Sequence, residues 1–180
     1  MTTTERLAFA NALSEKSYLE DDWQTVVENG CKLLEEEVAI EFGFKCASRA
    51  FGSWMSCFPK DDRVRNALAS VQQWLAGEDN LEQLKQAALA ASDAAVESDD
   101  PDDVPSNQRR TRALHSANAA SSIADAARSA CEPVGQRALR PDAVATAVGY
   151  AVKFSVSASN DASNEYEWQL GLLRRYLMNA

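Results

Sequence analysis

The chain has 180 residues, 46% of them apolar and 25% charged, with a formal net charge of -9. That length can bury a core without disulfide or metal staples, and it fits one domain or a domain with a helical extension. The acidity speaks against a nucleic-acid binder, which needs a basic surface for phosphates, and against anionic membrane surfaces; it suits a basic protein partner.

Alanine supplies about one residue in six, and there are only seven glycines and five prolines. This composition favours long helices over turn-rich sheet. Thr2, Thr3 and Thr4 precede ERLAFANAL, and Thr4 is expected to cap a short helix that turns Leu7, Ala10 and Leu13 inward. A polar break follows at 14–17. Glu20, Asp21 and Asp22 then suit the N-terminus of a second helix, with Trp23, Val26, Val27, Leu33 and Leu34 on its apolar side. Gly30 interrupts that pattern and is expected to divide it.

Glu35, Glu36 and Glu37 introduce an i, i+3, i+4, i+7 series: Ala39, Phe42, Cys46, Ala47, Ala50, Phe51, Trp54, Met55 and Phe58. A helix with large and small residues alternating along its stripe is expected at the centre of a bundle. Its aromatic stripe reads as packing rather than as a cofactor box, each buried ring contributing ~2 kcal/mol before entropy.

The stretch 58–78, FPKDDRVRNALASVQQWLAGE, carries the clearest helix signals in the chain. Pro59 stops the preceding helix and Asp61 or Asp62 can cap the next. Val64, Ala67, Leu68, Val71, Trp74 and Leu75 form one face, and Gly77 supplies the left-handed residue that closes a helix. Trp74 is expected in the core, where truncation to Ala would cost ~3 to 5 kcal/mol. Arg63 and Arg65 need acidic partners if they are structural.

Asp79 and Asn80 can cap a further helix whose face is Leu81, Leu84, Ala87, Ala88, Ala91, Ala94 and Ala95. The segment 97–107, ESDDPDDVPSN, reads as a solvated loop within one domain. Asn107 then caps a helix to about Cys131 with the stripe Ala113, Ala117, Ala120, Ala124, Ala127 and Cys131. Arg109, Arg110 and Arg112 crowd its first turns, where the helix dipole disfavours cations; the acidic loop ahead of them is the evident compensation. Pro141 and Asp142 start a helix with Val144, Ala147, Val148, Ala151, Val152 and Val156 on its face. A polar segment at 157–164 precedes a final helix carrying Tyr166, Leu170, Leu173 and Leu177. No stretch alternates with period two, so the expected fold is all-α, a single-domain bundle of six to eight antiparallel helices.

Cys31, Cys46, Cys57 and Cys131 form no CxxC pair, and His115 is the one histidine. The thiols read as reduced and mostly buried, in a cytoplasmic protein without a signal segment or membrane span. Catalysis needs convergent reactive groups, and the sequence offers few. His115 lies mid-helix in ALHSANAA and reads as structural or exposed. Asp61 with Asp62 is explained by capping; Asp99 with Asp100 and Asp102 with Asp103 lie in the Pro-flanked loop without EF-hand spacing. No catalytic, metal or cofactor site is expected.

The 58–78 string resembles the signature of an all-helical, Imm-5-like family of immunity proteins from bacterial polymorphic-toxin systems. The matching residues are Pro59, Asp61 or Asp62, Arg63, Arg65, Ala67, Trp74, Gly77 and Glu78. The Ala-rich helices at 87–95, 113–130 and 143–151 and the terminal helix at 168–177 look like the family's own. The family's helices often hold several histidines, whereas this chain has only His115. The resemblance runs from about Glu37 to the C-terminus, which divides the chain into an N-terminal helical extension, 1–36, and a helical domain, 37–180. It implies a non-enzymatic protein that binds a toxin. The expected contacts are Asp99, Asp100, Asp102 and Asp103, docking on a basic toxin domain. A helical scaffold, with self-association among its options, is the alternative reading.

Overall fold

The computed structural model describes residues 2–13, 22–98, 107–131 and 142–180. Among them are eight α-helices and no strand. They are α1 (Thr3–Ala12), α2 (Trp23–Cys31), α3 (Glu36–Cys57), α4 (Arg63–Leu75), α5 (Leu81–Ser98), α6 (Asn107–Ala130), α7 (Ala143–Ala158) and α8 (Ala162–Asn179). The fold is all-α, as the periodicity predicts. No helix among the described residues is long and apolar enough to cross a membrane.

Helix α6 is the axis. It packs against α3, α4, α5 and α7. Ala113, Ala117, Ala119, Ala120, Ile123, Ala124, Ala126 and Ala127 are all fully enclosed. The expected single stripe is therefore only part of its buried surface. Small side chains let neighbouring helices approach on several sides, which raises van der Waals contact per residue. Helix α3, expected at the centre, meets α4, α6, α7 and α8. Its enclosed residues are Ala39, Ile40, Phe42, Gly43, Cys46, Ala47, Ala50 and Trp54; Phe51, Met55 and Phe58 are half-buried.

Local signals hold to differing degrees. Thr2, not Thr4, caps α1, through a reciprocal capping box with Glu5. Ala10 and Leu13 are enclosed, but Leu7 is 39% exposed because α1 buries only a narrow face against α8. Gly30 does not divide α2: it lies within the helix, where a Cβ would sit 3.1 Å from Leu173 and 3.3 Å from Phe9. The helix stops one residue later, leaving Leu33 and Leu34 half-buried in the connection to α3. The breaks expected at 14–17 and the charges of Glu20 and Asp21 fall outside the described residues.

The turn from α3 to α4 is fixed by the motif residues. Trp54 Nε1–H donates to the Asp61 carbonyl at 3.0 Å, and its ring packs on Phe58 at 4.6 Å. The Arg63 backbone N–H donates to Asp61 Oδ1 at 3.0 Å, so Asp61 serves the helix start while Asp62 makes no capping bond. Gly77, at φ +88°, closes α4. Its N–H donates to the Trp74 carbonyl and that of Glu78 to the Gln73 carbonyl, the paired bonds of a Schellman closure. Trp74 itself is only half-buried, packed against the edge of the core instead of within it. Leu81, expected inward on α5, is 40% exposed. Asn80 turns its amide back to the Ser70 carbonyl at 2.8 Å instead of capping α5.

Candidate functional site

Helices α3, α6, α7 and α8 converge on a polar cleft of about 680 Å³. Arg49, Ser53 and Ser56 come from α3, Arg109 and Arg112 from the first turns of α6, and Ser155 from the end of α7. The short α7–α8 connection adds Ser159 and Asn160, and α8 adds Glu165.

The floor is a buried polar network. Arg49 Nε–H donates to Glu165 Oε2 at 2.7 Å, and the Arg49 guanidinium lies over the Trp168 ring at 4.5 Å. Glu165 Oε1 accepts from Gln169 Nε2 at 3.2 Å, and Gln169 Oε1 accepts from Trp23 Nε1 at 2.9 Å. Glu165 is 5% exposed and Gln169 is fully enclosed. A carboxylate this deep needs both a countercharge and hydrogen bonds, and it has both.

The rim differs in charge. Arg112 is held by the neutral Asn160 side-chain oxygen. Arg109 forms no ion pair with a described residue. Three guanidinium groups against one carboxylate leave the lining positive in a chain whose net charge is -9. The hydroxyl protons of Ser53, Ser56, Ser155 and Ser159 go to the carbonyls of Ala158, Ser53, Ala151 and Asp161 at 2.7 to 3.1 Å. The cleft's remaining donors are therefore its guanidinium groups and the Asn160 amide.

The motif residues gather elsewhere, around the start and end of α4. Arg63 grips Asp61 through Nε and Nη2, and Nη2 also reaches Glu97 of α5 at 2.7 Å. That guanidinium holds the Asp61 carboxyl below its ordinary range. Arg65 pairs with Asp62 across one turn and contacts the Met55 sulfur at 3.4 Å. Pro59 lies in the α3–α4 turn, and Gly77 and Glu78 close α4. The acidic loop residues Asp99, Asp100, Asp102 and Asp103 lie outside the described residues.

His115 does not enter the polar cleft's lining. Its ring stacks on Phe154 at 5.8 Å, its Nδ1 is buried without a hydrogen-bond partner, and burial pushes its pKa down. None of the four cysteines forms a disulfide; Cys31 and Cys46 are buried and Cys57 and Cys131 half-buried. Cys31 ends α2 at 3% exposure. Burial pushes the Cys31 and Cys46 thiols well up, which disfavours the reactive thiolate. Among the described residues no group of three or more His, Cys, Asp or Glu is placed to hold a metal.

In the sequence Arg109 and Arg112 stand out by their conflict with the helix dipole, whereas Arg49, Asn160, Glu165 and Gln169 carry no such mark. The readable signal was Glu165 with Gln169: four apart, they lead into Leu172 and Leu173 on one helical face. A family model described as Imm-5 like putative immunity protein matches residues 30–175. No curated protein and no solved structure matches the chain.

Proposed function

Because the chain belongs to the Imm-5 like immunity-protein family, we propose that it neutralises a cognate bacterial toxin by binding it, without catalysing a reaction. The observation that carries this reading is the family match across most of the chain. The net charge of -9 supports an acidic docking face for a basic toxin domain, by long-range attraction and by local charge complementarity. Asp99, Asp100, Asp102 and Asp103 are the contacts this reading assigns, on charge density. The binding unit is the helical domain 37–180, with 1–36 as its helical extension.

The test uses the purified chain and the toxin domain encoded beside its gene. Expected are a stable complex, restored growth of cells making the toxin, and an association rate that falls with salt. Reversing the four aspartates to Lys should weaken binding at least tenfold while the helical signal stays unchanged. No complex and no protection would overturn the reading. Full affinity after charge reversal would overturn the contact assignment alone.

A further inference from the structure

We propose that the arginine-lined cleft between α3, α6, α7 and α8 binds a small phosphate-class oxyanion. This goes beyond toxin neutralisation and does not depend on it.

The cleft is concave and, at about 680 Å³, has room for a diphosphate-sized group. Its charges are sorted. Arg49 is spent on Glu165 at 2.7 Å and lies over the Trp168 ring at 4.5 Å. Arg112 rests on a neutral amide, and Arg109 on no described carboxylate. The lining thus carries two cations without a paired anion among the described residues. A planar guanidinium donates to two oxygens at once, the geometry that phosphate matches best.

The donor inventory is equally selective. The serine hydroxyls at 53, 56, 155 and 159 all direct their protons to backbone carbonyls. What is left to face a ligand donates from guanidinium and amide nitrogen, and every such donor calls for an oxygen acceptor. Both unpaired arginines also stand at the start of α6, where the dipole opposes them. An anion beside them satisfies both the side chains and the positive helix end. Local rules are broken in this way where a site needs the residue more than the helix does.

The experiment is calorimetric titration of the full chain with inorganic pyrophosphate and with inorganic phosphate, against sodium chloride at matched ionic strength. Expected is saturable binding at one site, tighter for pyrophosphate. Arg109→Ala with Arg112→Ala should reduce affinity tenfold or more; Arg109→Lys with Arg112→Lys should recover part of it; Lys85→Ala on α5 should change nothing. On the unaltered protein, amide shifts in a nitrogen-15 spectrum should concentrate at 107–113 and 155–165. Absence of saturable binding, an equal loss from Lys85→Ala, or shifts centred elsewhere would each overturn the proposal. So would binding seen only after Asp99, Asp100, Asp102 and Asp103 are changed to Asn, since the cleft's anion would then belong to the chain itself.

Discussion

Arg49 on α3 and Glu165 on α8 meet at 2.7 Å, the arginine 44% exposed at its side chain and the glutamate 6%. The pair is asymmetric: one charge can return to water and the other cannot. Removing the arginine strands the carboxylate, whereas removing the carboxylate's charge leaves a solvated arginine. Arg49→Leu should therefore destabilise by about 2 kcal/mol, at the lower end for broken buried pairs because half of this one is wet. Glu165→Gln should cost less. Adding Glu165→Gln to Arg49→Leu should restore part of the loss, as read from urea unfolding midpoints. Equal costs for the two single variants would contradict the asymmetry.

Gly43 sits where α3 touches both α6 and α7. A Cβ there would lie 2.6 Å from Ile123 Cδ1 and 3.0 Å from Val148 Cγ1. Gly43→Ala gains helix propensity, about 0.5–1 kcal/mol, but must displace those side chains at about 1–3 kcal/mol. The expected net is a loss of about 1 kcal/mol. Ile123→Val removes the closest atom, so the double variant should be more stable than the sum of the singles by at least about 0.5 kcal/mol. Strict additivity in chemical denaturation would show that the contact relaxes freely.

Trp54 lies just before the 58–78 motif and Trp74 within it, and the two differ in burial. Trp54 is 1% exposed and bonded to the Asp61 carbonyl; Trp74 is half-buried. Trp54→Ala should cost about 4 kcal/mol and Trp74→Ala about 2 kcal/mol. Two similar values would mean that the end of α4 is more enclosed than its exposure indicates.

His115 predicts an acid-side loss of stability. Burial lowers its pKa from the ordinary 6.5, so the unfolded chain binds the proton more readily. Folding stability then falls as pH drops through about 6.5 and levels off below the folded-state value. His115→Phe keeps a ring against Phe154 and removes the titration. Urea midpoints between pH 7.5 and pH 5 should decline less steeply in that variant. An identical decline would assign the effect to carboxylates instead.

The helices were legible because each writes a period of 3.6 into its own residues, and Gly77 carries its stop signal in one position. What the pattern could not give was which faces share a neighbour. In α6 the alanines at 119, 126 and 130 lie off the expected stripe yet are enclosed, because burial there depends on α3, α4, α5 and α7 arriving from different directions. The same blindness hid the cleft. Glu165 and Gln169 look like an exposed polar pair until α2 and α3 supply Trp23 and Arg49, partners 146 and 116 residues away. Trp74 and Leu81 show the reverse error, apolar residues at element ends where the neighbour stops short.

The alanine axis gives this protein an unusual tolerance profile. Eight enclosed positions of α6 already carry the smallest chiral side chain, so truncation there leaves almost no hole to open. Damage can come only from growth: an added methyl or hydroxyl must push two helices apart at once, at about 1–3 kcal/mol per site. Random mutagenesis should accordingly find α3 intolerant of shrinkage and α6 intolerant of bulk, two opposite vulnerabilities built into adjacent rods.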